Sequence, residues 1–235
     1  DRQQFKQSAQ APGMGVYKND ASARGWMVQF NGAGQVLIWK ITSGSAIDLE
    51  RQLGTLGCPE TVALRGGNLE NFLYFEQPVV IGNGTAVATA CDGTARSRDS
   101  VVDGRVSIST SASIYIGGNI SYQKPGRDVL GLMAQNSVVM ATYAPYNLTW
   151  RAATLAETGS WRTAAPKYNG ELTNTKGSLT FIGSIATAQG GYADMYGARD
   201  YQYDEQFTAS GPPPQFPDID GTWDVTDWRE VQPPS

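Results

Sequence analysis

Between residues 101 and 191, apolar and small polar residues take turns along the chain. Val106, Ile108, Ile114, Ile116, Ile120 and Tyr122 are separated by Ser, Thr, Gly and Asn, the every-other-residue pattern of strands with one buried face. Further apolar bursts follow at Val129–Ala134, Val138–Met140, Leu148–Ala156 and residues 179–186. No 3.6-residue amphipathic period runs through this region, so the pattern predicts short strands and tight turns with no helix between them.

The bursts that open at Val106, Leu130, Leu148 and Leu179 are 24, 18 and 31 residues apart. Such uneven spacing predicts a coil of roughly 20 residues per turn with loops of unequal length. Upstream, Trp26, Val28 and Phe30 alternate, Asn31-Gly32-Ala33-Gly34 turns the chain, and Val36, Ile38 and Ile41 run back, which predicts an antiparallel hairpin. The expected fold class is therefore all-β: a β-solenoid, or β-helix-like coil, joined to a small antiparallel β-sheet. Residues 1–64 read as a linker and the hairpin, 65–210 as the solenoid, and 211–235 as a Pro-rich return and last strand. Residues 46–53 fit either a helical turn or a strand.

Composition narrows the chemistry. The 235 residues include 27 glycines, 17% charged residues and no histidine. Without histidine, Ser-His-Asp and Cys-His nucleophiles and His-containing metal sites are excluded, leaving carboxylates as the main catalytic option. A non-enzymatic chain with no cofactor is expected. No apolar run is long enough to span a bilayer, so this segment is expected to be soluble and to make no membrane contact. Cys58 and Cys91 are the only cysteines. As a disulfide they would contribute about 3 to 4 kcal/mol through loop closure and place the chain in an oxidising compartment; as two separate thiols they would do neither. The net charge of -4 is unevenly spread, since residues 191–235 hold 9 of the 22 acidic side chains and only 2 of the 18 basic ones.

The succession "DGRVSISTSASIYIGGNISYQ", "DVLGLMAQNSVVM", "NLTWRAATLAETGSW", "GSLTFIGSIATAQGGY", "YQYDEQF", "PPPQFP" and "DWREV" resembles the C-terminal region of PilX-like and ComZ-type minor pilins of type IV and DNA-uptake pili. The similarity covers about residues 65 to 231. It implies a β-solenoid carried on a pilin-type β-sheet, with the closing "DWREV" returning beside the hairpin. It also implies export through the periplasm, display on the cell surface as part of a pilus, other pilins as partners, and adhesion or capture of extracellular DNA as the role. The sequence departs from a complete minor pilin in lacking the long apolar N-terminal helix.

Arg96, Arg98, Arg105, Lys124 and Arg127, with Tyr115, Tyr122 and Tyr143 nearby in sequence, form the candidate DNA-binding group. Guanidinium and ammonium groups neutralise phosphates, and exposed tyrosines stack on single-stranded bases. The bland reading is a set of solvated loop charges near Asp99, Asp103 and Asp128. An acidic, tyrosine-rich run, with Asp194, Asp200, Asp204 and Glu205 among Tyr192, Tyr196, Tyr201 and Tyr203, carries the alternative: a polysaccharide-binding or polysaccharide-cleaving protein. Asp218, Asp220 and Asp224 around Gly221 make a weak calcium-loop match, for which a solvated turn is the default. Asn83, Asn119 and Asn147 open N-x-S/T triplets that read as turn and strand-end residues. Trp150 and Trp161 read as packing residues, since each adjoins an apolar burst.

Overall fold

The computed structural model describes residues 2–43, 48–82, 99–164 and 175–217. The chain opens with helix α1 (Arg2–Gln10), β1 (Gly15–Lys18), the hairpin of β2 (Gly25–Phe30) and β3 (Gln35–Ile41), a single 3-10 turn at Asp48–Glu50, and β4 (Leu56–Ala63). Next come β5 (Glu70–Phe75), β6 (Val79–Ile81), β7 (Ser100–Val102), β8 (Arg105–Thr110), β9 (Ile114–Ile116), β10 (Ile120–Tyr122), β11 (Val129–Ala134) and β12 (Val138–Met140). The chain continues through β13 (Leu148–Ala156), β14 (Trp161–Thr163), β15 (Lys176–Thr187), β16 (Gly191–Tyr192), β17 (Tyr196–Gln202) and the short helix α2 (Gln206–Ala209).

Two sheets result. In the first, β1, β5, β8, β11, β13, β15 and β17 lie side by side, and β10 and β7 continue from β13; every pairing is parallel. Nine-residue β13 serves two neighbours along one edge, β10 beside Trp150 and β11 beside residues 153–156, while β15 covers its other edge. The second sheet runs β16, β14, β12, β9, β6, β2, β3, β4, parallel as far as β2 and antiparallel from β2 to β4.

Between the sheets lies the main core. Val79, Ile114, Val138 and Trp161 stack in register in the second sheet, and they pack in one cluster with Leu73, Ile108, Leu132, Trp150 and Phe181 of the first. The middle strands of both sheets are buried on their outer faces as well. Leu49, Leu53 and Leu56 cover Met27, Val80, Tyr115 and Val139 of the second sheet, whereas α1 lays Phe5 and Ala9 on Phe72 and Tyr74 of the first. Further along that face, Phe216 and Phe207 pack on Met133 and Ala153. Strands buried on both sides read as unbroken apolar runs, and this is why β11 and β12 show so little alternation.

The expected fold class is corrected on these pairings. In place of a β-solenoid joined to a separate antiparallel pilin-type sheet, the chain forms a curled parallel sheet packed on a mixed sheet, an α/β-like arrangement with helix on one face. The hairpin does form, but β2 offers its second edge to β6. The antiparallel strands are thus the end of the mixed sheet. The physical reason is range: a hairpin's pairing is written locally in its turn, while the partner on its other edge lies some 50 residues away. Residues 2–10, expected as linker, are helical because Phe5 and Ala9, one turn apart, find a buried site.

Candidate nucleic-acid interface

Three of the five predicted basic residues converge. β8 begins at Arg105, and the turn between β10 and β11 carries Lys124, Gly126, Arg127 and Asp128 next to it. Gly126 adopts φ +85° with open space around it, a left-handed turn position that glycine fills without strain. Arg96 and Arg98 lie outside the described residues.

Asp128 organises this corner. It is fully buried and accepts hydrogen bonds from Gly104 N at 2.9 Å, Lys124 N at 2.6 Å and Arg127 Nε at 2.7 Å. A buried carboxylate with this many donors is satisfied in the way such a charge requires. Arg127 also pairs with Asp103. Burial acts to lower the Arg127 pKa, but its hydrogen bonds to Asp128 and Asp103 outweigh that and raise it, so the guanidinium stays charged. Lys124 sits 3.6 Å from Asp103 with its side chain 57% exposed.

Arg105 is held differently. Its two terminal nitrogens donate to the carbonyl oxygens of Ser210 at 2.6 Å and Pro212 at 2.7 Å, and it forms no ion pair among the described residues. Neutral carbonyls orient a guanidinium without cancelling its charge. Arg105 and Arg127, with Asn68, Gly126 and Ser210, line an open groove of about 340 Å3. Counting Lys124, three cations stand here with the carboxylates of Asp103 and Asp128, and Glu70 of β5 lies in register beside Arg105.

The segment that holds Arg105 runs back across the first sheet. After β17, Asp204 is buried, accepts from Gln206 N at 3.1 Å and pairs with Arg151 at 2.8 Å. Gln206 Oε1 accepts from Gly126 N at 3.2 Å, and the Pro214 carbonyl accepts from Ser107 Oγ at 2.6 Å. Sequence reasoning missed these contributors because they are 80 or more positions from their partners. The Pro212-Pro213-Pro214 run, which signals a stiff extended segment, was the available clue.

The tyrosines expected beside this group are elsewhere employed. Tyr115 belongs to the outer core, Tyr122 is buried with its hydroxyl accepting from Leu130 N at 3.2 Å, and the Tyr143 hydroxyl donates to Leu49 O at 3.0 Å. Burial raises all three phenol pKa values, so they remain neutral, and none is open to stack on a base. The described lining of the groove holds no aromatic side chain.

The carboxylates of the alternative reading are separated in role. Asp194 faces Arg199 at 3.4 Å, Asp200 accepts from Gln202 at 2.7 Å, and Asp204 is sunk against Arg151. The Asn119 and Asn147 side chains bridge turns, Asn119 to Asp99 and Thr149, Asn147 to Ser178. Trp150 and Trp161 are buried, their rings stacked 5.9 Å apart. Cys58 lies on β4, while Cys91 and the Asp218, Asp220, Gly221 and Asp224 turn lie outside the described residues. No protein family, curated protein or solved structure matches this chain.

Proposed function

We propose that this is a non-enzymatic protein displayed outside the cell, of the minor-pilin kind, which contacts extracellular nucleic acid through phosphate groups at the Arg105–Arg127 groove. The observation that carries this reading is Arg105, a cation aimed and held by two neutral carbonyls, with no ion pair among the described residues. Phosphate oxygens are the natural acceptors for such a group. Recognition confined to phosphates is sequence-tolerant, which suits capture of arbitrary DNA. Other pilins are the partners this reading implies, and a Cys58–Cys91 disulfide belongs to it as well. Two thiols titrating in unfolded, unreduced protein would remove the disulfide.

Fluorescence anisotropy with labelled single-stranded and duplex oligonucleotides at graded salt tests the reading. With up to three phosphate contacts, log affinity should fall with log salt at a slope of about -2 to -3. Lys124→Glu, at an exposed position, should weaken binding several-fold without altering the melting temperature, and Arg105→Gln combined with it should weaken binding at least about tenfold. Absence of binding at low salt, or binding that ignores both salt and these substitutions, overturns it.

A further inference from the structure

One interior column of the fold runs Ile120, Trp150, Phe181, Tyr201, in register across β10, β13, β15 and β17. The first three are no more than 2% exposed, whereas Tyr201 is 51% exposed. A neighbouring column, Leu148 and Leu179, ends in the same way at Arg199. Tyr201 lies edge-on to buried Trp161, 5.9 Å between centroids. The aromatic core therefore continues to the surface of the last strand and stops there, with no layer of the described residues above it.

Among the described residues this edge is unpaired in both sheets, since β17 pairs with β15 alone and β16 with β14 alone. Six of the seven residues of β17 and both of β16 are exposed. The bond from Lys176 N to Met195 O fixes the alternation, which turns the N–H and C=O of Ala198, Asp200 and Gln202 toward the free edge. β17 has neither proline nor lysine, the residues that commonly protect such an edge.

We propose that a second copy of this chain occupies this edge, its β17 adding antiparallel to the first about a two-fold axis normal to the sheet. Symmetry and charge narrow the register, and the exposed Tyr201 chooses among those that remain. Centring the axis on Arg199 sets arginine against arginine, and centring it on Asp200 sets carboxylate against carboxylate, both unfavourable for directly opposed residues. Centring it on Tyr201 sets the two Tyr201 rings together, Asp200 against Gln202 of the other copy and Arg199 against its Tyr203. The axis keeps inward faces on the same side, so the Trp150, Phe181, Tyr201 column runs on into its symmetry mate, and the β16 edges come together beside it. The contact is isologous and closed, giving a dimer and no fibre. It uses none of the Arg105 groove and stands independently of the nucleic-acid reading.

The test is sedimentation of the full chain over a range of concentrations, with two kinds of variant. Asp200→Pro removes an N–H that points to the free edge and leaves the bonds to β15 intact; it should weaken association about tenfold or more while circular dichroism and melting of the monomer stay unchanged. Tyr201→Cys should give an oxidised covalent dimer, because opposed residues at that non-hydrogen-bonded site approach within disulfide range, while Ala198→Cys should not. A chain that stays monomeric at every concentration overturns the proposal, including one whose β17 amides are protected from exchange by residues beyond 217 of the same chain. Association unaffected by Asp200→Pro overturns it equally, as does a covalent dimer formed by the Ala198→Cys variant and not by the Tyr201→Cys variant.

Discussion

The two ends of the stacked strands are finished in opposite ways. At the first end, the edges of both sheets are drawn together: Lys18 of β1 pairs with Glu60 of β4, and Val62 and Leu64 lean on the core beneath. The edge strand β4 carries Pro59 and Glu60, while α1 lies alongside β1 and β5. At the last end, β16 and β17 carry exposed tyrosines over an aromatic core, with no layer of the described residues on top. In a stack where each layer buries only its neighbours, terminal layers need a polar outer surface or a partner. One end is covered by elements of its own chain; at the other, the described residues leave the last layer exposed.

Truncating the shared aromatic column should break this comparison most sharply. Trp150→Ala removes a fully buried indole that stacks on Trp161 and packs at a tilt against Phe181, and should cost about 3 to 5 kcal/mol in urea unfolding. Tyr201→Ala, in the same column but half exposed, should cost the monomer no more than about 1 kcal/mol. Equal losses would mean that the last layer is as well covered as the middle. Phe5→Ala should cost about 3 kcal/mol, because Phe5 is 2% exposed and packs edge-on to Phe72 at 5.4 Å; a negligible loss would show that α1 does not finish the first end.

Acid should loosen the first end. Glu76 is bonded to Lys6 of α1 and accepts from the Tyr17 hydroxyl of β1 at 3.0 Å. Burial pushes its pKa up, but these hydrogen bonds prevail and hold it below the ordinary value of 4.5. A carboxylate lowered on folding contributes stability above its unfolded pKa and loses it as pH falls through the folded value. Melting temperature should therefore drop below about pH 4.5, with Glu76→Gln flattening that limb; an unchanged limb would separate Glu76 from the effect. Smallest of all, a double-mutant cycle on Lys18 and Glu60 should give less than about 1 kcal/mol, since Glu60 is 55% exposed. A larger coupling would mean that this pair, and not the apolar contacts below it, closes the end.

Strand by strand, much was legible in the chain. Val129–Ala134, Val138–Met140 and Leu148–Ala156 form strands over the same residues as the apolar bursts, and Trp26, Val28 and Phe30 pair with Lys40, Ile38 and Val36 as the turn at Asn31 demands. Helix α1 was not legible, because RQQFKQSAQ has two apolar residues and draws its stability from the sheet it lies on. At the basic corner, Arg105, Lys124 and Arg127 stood out by charge. The sequence did not show that Asp128 would be buried beneath them, or that carbonyls from Ser210 and Pro212 would aim Arg105.

Alternation, turn residues and the absence of histidine are local properties, and they settled strand content, the hairpin and the exclusion of histidine chemistry. The tertiary structure alone decided which strands share a sheet, that the middle strands of each sheet are covered on both faces, and that the described residues add no layer beyond β16 and β17. The reason is that a strand's pattern records how much of it is buried, while its partners are set by packing between residues far apart in the chain. Tyr201 shows the difference: its place in the alternation is that of Phe181 and Trp150, and only its position in the last layer turns a core residue into a surface one.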